Sequence, residues 1–214
     1  YAALNLVKEF DRPAAAVIKH TNPAGCATAD SLAEAYDRAL STDAKSAFGG
    51  IVALNRECDE ATAAQVIDSF KEVVVAPGYT DGALATLREK DNLRVLDVGS
   101  EARSASNASS AEQSSADSRA VEPRDDGEAA SEEDFAEISE TTTEKDLVGG
   151  RLVQERDLQA PTREELEVVT EREPTDDQLD SLLFAWQTIK HVKSNAILFA
   201  DGTETVGVGA GQGS

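Results

Sequence analysis

Two histidines stand among the 214 residues, His20 and His191, and each directly follows a lysine. Imidazole titrates near neutral pH, so it can take a proton and return it within one turnover. His20 is the better placed of the two. It follows an apolar run, Ala14 to Ile18, that reads as a short buried strand, and it precedes Asn22-Pro23-Ala24-Gly25, which reads as a sharp turn. Open α/β sheets present their chemistry in this way, at the carboxyl end of a strand. Lys19 can set a positive charge against a developing oxyanion, and as a neighbouring cation it favours the neutral imidazole that accepts a proton. In extended backbone the two side chains point to opposite sides, so they converge only where the chain bends. The structural alternatives stay open, with Lys19 reaching along the surface and His20 serving the turn. His191 ends the longest helical pattern, where its charge would complement the helix dipole, and the structural role fits it better.

Other positions invite a similar choice. Asn195, at a helix-to-strand junction, could orient an imidazole through its amide or serve the turn alone. Phe48-Gly49-Gly50 precedes a second apolar run, and its glycines permit a close backbone approach. Pro77-Gly78 and the run Gly207 to Gly211 could offer backbone amides to a ligand or be plain turns. No GxSxG elbow, Walker loop or Cys/His/Asn constellation is present. Cys26 and Cys58 stand apart, without ligand spacing, so no metal site is expected and both thiols are expected to be reduced.

The elements that must position these residues alternate in type. Ala2 to Phe10 has helical spacing, and the first strand follows Arg12-Pro13. Ser31-x-x-Glu34 opens a helix through Leu40, and Ile51 to Leu54 is a second strand. Asp59 caps a helix expected to run to Phe70, with Val66, Ile67 and Phe70 on one face. Glu72 to Ala76 is a third strand, Thr80 caps a short helix, and Leu93 to Val98 is a fourth strand. Near-continuous apolar strands alternating with helices predict a mostly parallel sheet covered on both faces. After the acidic stretch, order resumes at Leu147 to Val153, with a further strand expected over Leu166 to Val169. Thr175-x-x-Gln178 then caps the longest helix, with Leu179, Leu182, Leu183, Trp186 and Ile189 expected to face the core. Ala196 to Ala200 and Thr205 to Val208 form a pair of strands about the Asp201-Gly202 turn.

Composition narrows the function classes. The formal net charge is −21, from 41 acids against 20 bases, which argues against a nucleic-acid surface. Such acidity is expected of a salt-adapted protein, in which screening offsets self-repulsion. No segment resembles a signal peptide or membrane span, so a cytoplasmic protein is expected. Between Ser100 and Asp134 stand ten acids, three bases and nine serines with almost no bulky apolar residue. That composition cannot offset its ordering entropy, so a disordered acidic insertion is expected over residues 100–143. It separates an α/β part at 1–99 from its continuation at 144–214. The chain starts at Tyr1 inside a helical pattern, without Met, as a fragment would.

Taken together, the blocks resemble the transformylase domain of the bifunctional purine-biosynthesis enzymes, AICAR transformylase/IMP cyclohydrolase. They are Val17 to Gly25, Ser46 to Arg56, Glu72 to Tyr79, Gly149 to Arg156, Phe184 to Ala196 and Val206 to Gln212, in the family's order. The resemblance implies a three-layer α/β/α fold, one cytidine-deaminase-like half of the transformylase domain, with the second half and the cyclohydrolase domain outside these residues. It implies formyl transfer from 10-formyltetrahydrofolate to the 5-amino group of AICAR, with no metal in the catalytic step. It places Lys19, His20 and Asn195 in catalysis, with His20 as general base. It places Phe48, Gly49 and Glu72 on the nucleotide and Gln212 on the folate side, and it implies a homodimer. The alternatives are a nucleotide-binding fragment without turnover and a generic α/β ligand-binding domain.

Overall fold

The computed structural model describes residues 2–99 and 142–211. The acidic stretch, from Ser100 to residue 141, and Gln212 lie outside the described residues. Two compact units are present, one of residues 2–99 with 162–211 and a smaller one of residues 142–161.

The larger unit is built on one sheet. Its strands are β1 (Ala14–Lys19), β2 (Asn22–Thr28), β3 (Gly50–Leu54), β4 (Lys71–Ala76) and β5 (Arg94–Asp97). The smaller unit holds β6 (Thr142–Leu147) and β7 (Gly150–Glu155), and the larger resumes with β8 (Ile197–Asp201) and β9 (Glu204–Gly209). Seven strands stand in the order β5-β4-β3-β1-β2-β9-β8. The helices are α1 (Ala2–Val7), α2 (Leu32–Thr42), α3 (Glu60–Ile67), α4 (Asp81–Leu87) and α5 (Asp176–Ile189).

The apolar runs bury both faces of their strands. On β1, Ala15 and Val17 join one core with Leu32, Ala35, Tyr36 and Ala39 of α2, Val66 of α3 and Leu87 of α4. Ala14, Ala16 and Ile18 join a second core on the other face, with Leu6, Val7 and Phe10 and with Phe184 of α5. The result is the expected α/β arrangement, with helices on both faces of the sheet. Buried Asn55 ties the start of β1 into place, accepting from the Ala14 amide at 2.7 Å and donating to the Phe10 and Arg12 carbonyls at 2.8 Å each. The caps sit where the sequence places them, at Ser31, Asp59, Thr80 and, as a full capping box, Thr175 with Gln178.

The expectation of a mostly parallel sheet is corrected. Only β3-β4 and β4-β5 pair in parallel, while β1 runs antiparallel to β2 and β3, and β9 antiparallel to β2 and β8. The difference arises at Asn22 to Gly25, read as a turn but folded as the start of β2. Pro23 has no amide to give a ladder, yet the β1-β2 register shifts beside it, so this proline sits at a bulge, where a central strand tolerates it. Gly25 suits the place because a Cβ there would run into the Ala39 carbonyl and Thr42 of α2.

Three smaller expectations also fail. No strand forms over Leu166 to Val169, which follows a single 3-10 turn at Arg163–Glu165. The third helix stops at Ile67, so Phe70 lies outside it. On α5 the core-facing line is Phe184 and Thr188, four residues apart, with Phe184 stacked 5.2 Å from Phe10. Leu182 and Trp186 are instead exposed, because the line through 184 and 188 turns them away from α1. In the smaller unit β6 and β7 pair as a hairpin turning at Val148-Gly149. Among the described residues no helix is long and apolar enough to cross a membrane.

Candidate active site

Strand direction decides where the candidate residues meet. β1 ends at Lys19, and its antiparallel neighbour β3 begins at the same end of the sheet, just after Phe48-Gly49. β4 is parallel to β3, so it too begins there, with Glu72 its second residue. β9 runs antiparallel to β2 and so finishes at this end, and β8 begins there, two residues after Asn195. Lys19, His20, Phe48, Gly49, Glu72 and Asn195 therefore share one end of the sheet. It is the carboxyl end of β1 but the amino end of the parallel strands β3 and β4, contrary to the rule for open parallel sheets. Pro77-Gly78 lies at the opposite end, where the Gly78 carbonyl accepts from the Cys58 amide at 2.9 Å, and it reads as a structural turn.

The β1-β2 connection is a two-residue turn, since Lys19 pairs with Asn22. His20 sits exposed at its tip with φ of +56°, a left-handed conformation that hairpin turns of this length require and glycine usually supplies. The Lys19 side chain turns toward β3, and its Nζ donates to the Phe48 carbonyl at 2.9 Å and the Gly49 carbonyl at 3.1 Å. An ammonium has three donors, so this leaves one to reach a ligand oxygen. Gly49 has φ of +66°, and a Cβ there would stand 3.1 Å from Lys19 Nζ.

Asn195 approaches through a different tie. The Asn22 side-chain oxygen accepts from the Lys193 amide at 2.9 Å, fastening the start of β2 to the segment that carries Ser194 and Asn195. Gly211 packs on the Asn195 backbone, where a Cβ would collide. The Asn195 side-chain oxygen accepts from the Ser194 hydroxyl at 2.9 Å. Glu72 is exposed on β4.

Sequence reasoning missed three residues here. Phe70, just before β4, has its ring 5.4 Å from that of Phe48. Asn22 reads as a turn residue in the sequence but opens β2, and its side chain makes the tie to Lys193. Lys71 is buried, bonded to the Ser69 hydroxyl, and burial pulls its pKa down. Only the burial of a charged residue among apolar ones distinguishes Lys71, and the sequence gives no sign of it.

His191 takes the structural role. Its Nε2 lies 2.8 Å from one oxygen of Glu9, whose other oxygen meets Lys190 at 2.8 Å, so the end of α5 is anchored beside α1. Both cysteines are free and buried, and burial pushes each thiol up to about 12. Among the described residues no group of three or more His, Cys, Asp or Glu is arranged to hold a metal ion.

The sequence pattern of the AICARFT/IMPCHase bienzyme family matches residues 1–146 and 128–214. The chain is also similar to the bifunctional purine biosynthesis protein PurH of Sinorhizobium medicae, 44% identical over 214 residues, which is 99% of this chain and 34% of that protein. The chain thus spans about a third of that relative's length. With a match that runs nearly end to end, this chain belongs to the AICARFT/IMPCHase bienzyme family.

Proposed function

We propose that these residues carry part of the site that transfers a formyl group from 10-formyltetrahydrofolate to the 5-amino group of AICAR. The observation that carries this reading is the gathering of Lys19, His20, Phe48, Gly49, Glu72 and Asn195 at one end of the sheet. The acceptor amine is a poor nucleophile, because its lone pair is drawn into the imidazole ring. It therefore needs a base to take its proton as the new bond forms. His20, held at a hairpin tip in an exposed position, can meet a substrate without rearrangement of the sheet. As the amine nitrogen bonds to the formyl carbon, His20 takes its proton. The bond from that carbon to N10 of the folate breaks, and N10 takes up the proton that His20 removed from the amine, which returns His20 to its neutral form. Lys19, fixed by two carbonyls, can hold its remaining N–H against the carbonyl oxygen as charge develops there. Phe48 and Gly49 form the nucleotide wall, Asn195 supports His20, and Gln212 serves the folate side. A cytoplasmic homodimer acting on AICAR and folate completes the reading.

The test is formyl transfer by the full-length protein at molar KCl, with and without His20→Ala. Turnover that falls by ~10² or more in the variant supports the general-base role. Turnover unaffected by His20→Ala removes that role and leaves the reaction. A full-length protein that neither turns over nor binds AICAR defeats the reading altogether. A second reading, nucleotide binding without turnover, applies to these 214 residues alone, because they span 34% of the relative. Calorimetry of AICAR with the isolated chain, beside an activity assay, separates the two.

A further inference from the structure

We propose that Phe70 is a positioning residue for the nucleotide, holding the Phe48-Gly49 corner in the shape that the substrate meets. The inference rests on the formyl-transfer reading and adds a residue to it. Phe70 belongs to no helix or strand, since α3 ends at Ile67 and β4 begins at Lys71. Its backbone acts on Gly49, and its ring on both Gly49 and Phe48. The Phe70 carbonyl accepts from the Gly49 amide at 2.9 Å. The ring carbons Cε1 and Cδ1 stand 3.5 and 3.6 Å from where a Gly49 Cβ would be, so the ring covers the open side of that glycine. The same ring meets Phe48 at 5.4 Å between centroids and 48° between planes.

Two phenyl rings packed together are ordinarily withdrawn from water. Here Phe48 is 60% exposed and Phe70 44% exposed, at the end of the sheet where Lys19 also lies. Tilted rings cannot both stack on one plane. One therefore presents its face to a flat heteroaromatic ring while the other braces it, and the Phe70 ring, packed against Gly49 and the less exposed of the two, is the brace. Lys19 holds the corner from the other side, through the carbonyls of Phe48 and Gly49. Removing the Phe70 ring frees Phe48 to turn but leaves Lys19 and His20 in place. The loss should fall on nucleotide binding rather than on the chemical step.

Steady-state kinetics of the full-length protein, with calorimetry of AICAR binding, would compare Phe70→Ala, Phe70→Leu and Phe70→Tyr with the wild type. The expected result for Phe70→Ala is a KM and Kd for AICAR raised about tenfold, with kcat within about threefold and the folate KM unchanged. Phe70→Leu should fall between, and Phe70→Tyr should restore wild-type values, because a ring is what is needed. An active wild type whose Phe70→Ala variant keeps its AICAR constants within twofold overturns the inference and leaves the formyl-transfer reading intact. Loss confined to kcat, or shared equally by the folate KM, also overturns it. A wild type that neither turns over nor binds AICAR removes both.

Discussion

His20 is held in a conformation that its residue type disfavours. Among the described residues it alone combines a side chain with a positive φ, at +56°. An L-residue in that region costs about 1 kcal/mol relative to glycine, so the position favours glycine on stability alone. An imidazole kept there against that preference is a reason to look for chemistry at the position. In the full-length protein, His20→Gly should therefore be more stable than His20→Ala by about 1 kcal/mol in urea unfolding, while both lose transfer activity equally. Equal stability of the two variants would show that the turn relaxes without cost. The same scale shows what the sequence could reveal. Lys19, His20, Phe48 and Gly49 stood out because ionisable or glycine positions interrupt apolar runs. Phe70 did not, because its spacing from Val66 and Ile67 continues a helical pattern that ends at Ile67 without any glycine or proline to mark the stop.

Elements were legible wherever burial on both faces or a capping side chain wrote itself into the pattern. The caps at Ser31, Asp59, Thr80 and Thr175 and the cores of β1, β3 and β4 are of this kind. β2 was not, because Asn, Pro and Gly are turn residues by local chemistry, and only pairing with β1 and the closeness of α2 make them a strand. That error hid the tie at Asn22. Its side chain reaches 171 positions along the chain to accept from the Lys193 amide, which ties the hairpin to the segment bearing Asn195. Asn22→Ala should loosen that segment and lower kcat by about tenfold, whereas Asn22→Asp keeps the acceptor oxygen and should keep most of the rate. Equal rates for the two variants would mean that the segment is held by other contacts, the packing of Gly211 on Asn195 foremost.

At the scale of the molecule, topology does what no single motif can. Residues separated by most of the chain reach one end of the sheet only because β1, β2, β9 and β8 alternate in direction while β3 and β4 do not. That alternation was invisible in a pattern read as mostly parallel, and the candidate residues were gathered by resemblance instead. Charge, by contrast, is a whole-molecule property that the sequence states outright. With 41 acids and 20 bases, repulsion between like charges outweighs the attraction of the ion pairs. Several of those pairs are exposed, such as Arg12 with Asp30 and Arg163 with Asp176 and Asp180, and exposed pairs contribute about 0–1 kcal/mol each. Salt weakens both terms, but it removes more repulsion than attraction. The screening length shrinks from about 10 Å at 0.1 M to about 3 Å at 1 M. The urea midpoint of the full-length protein should therefore rise between 0.1 and 1 M KCl. Chloride is the anion to use, because sulfate strengthens apolar burial whatever the protein's charge. Neutralising several exposed acids outside the site and outside those pairs, for example Asp37→Asn, Glu89→Gln and Asp91→Asn together, should flatten that rise if screening causes it. A midpoint that stays level or falls with KCl would separate the acidity of this chain from adaptation to salt.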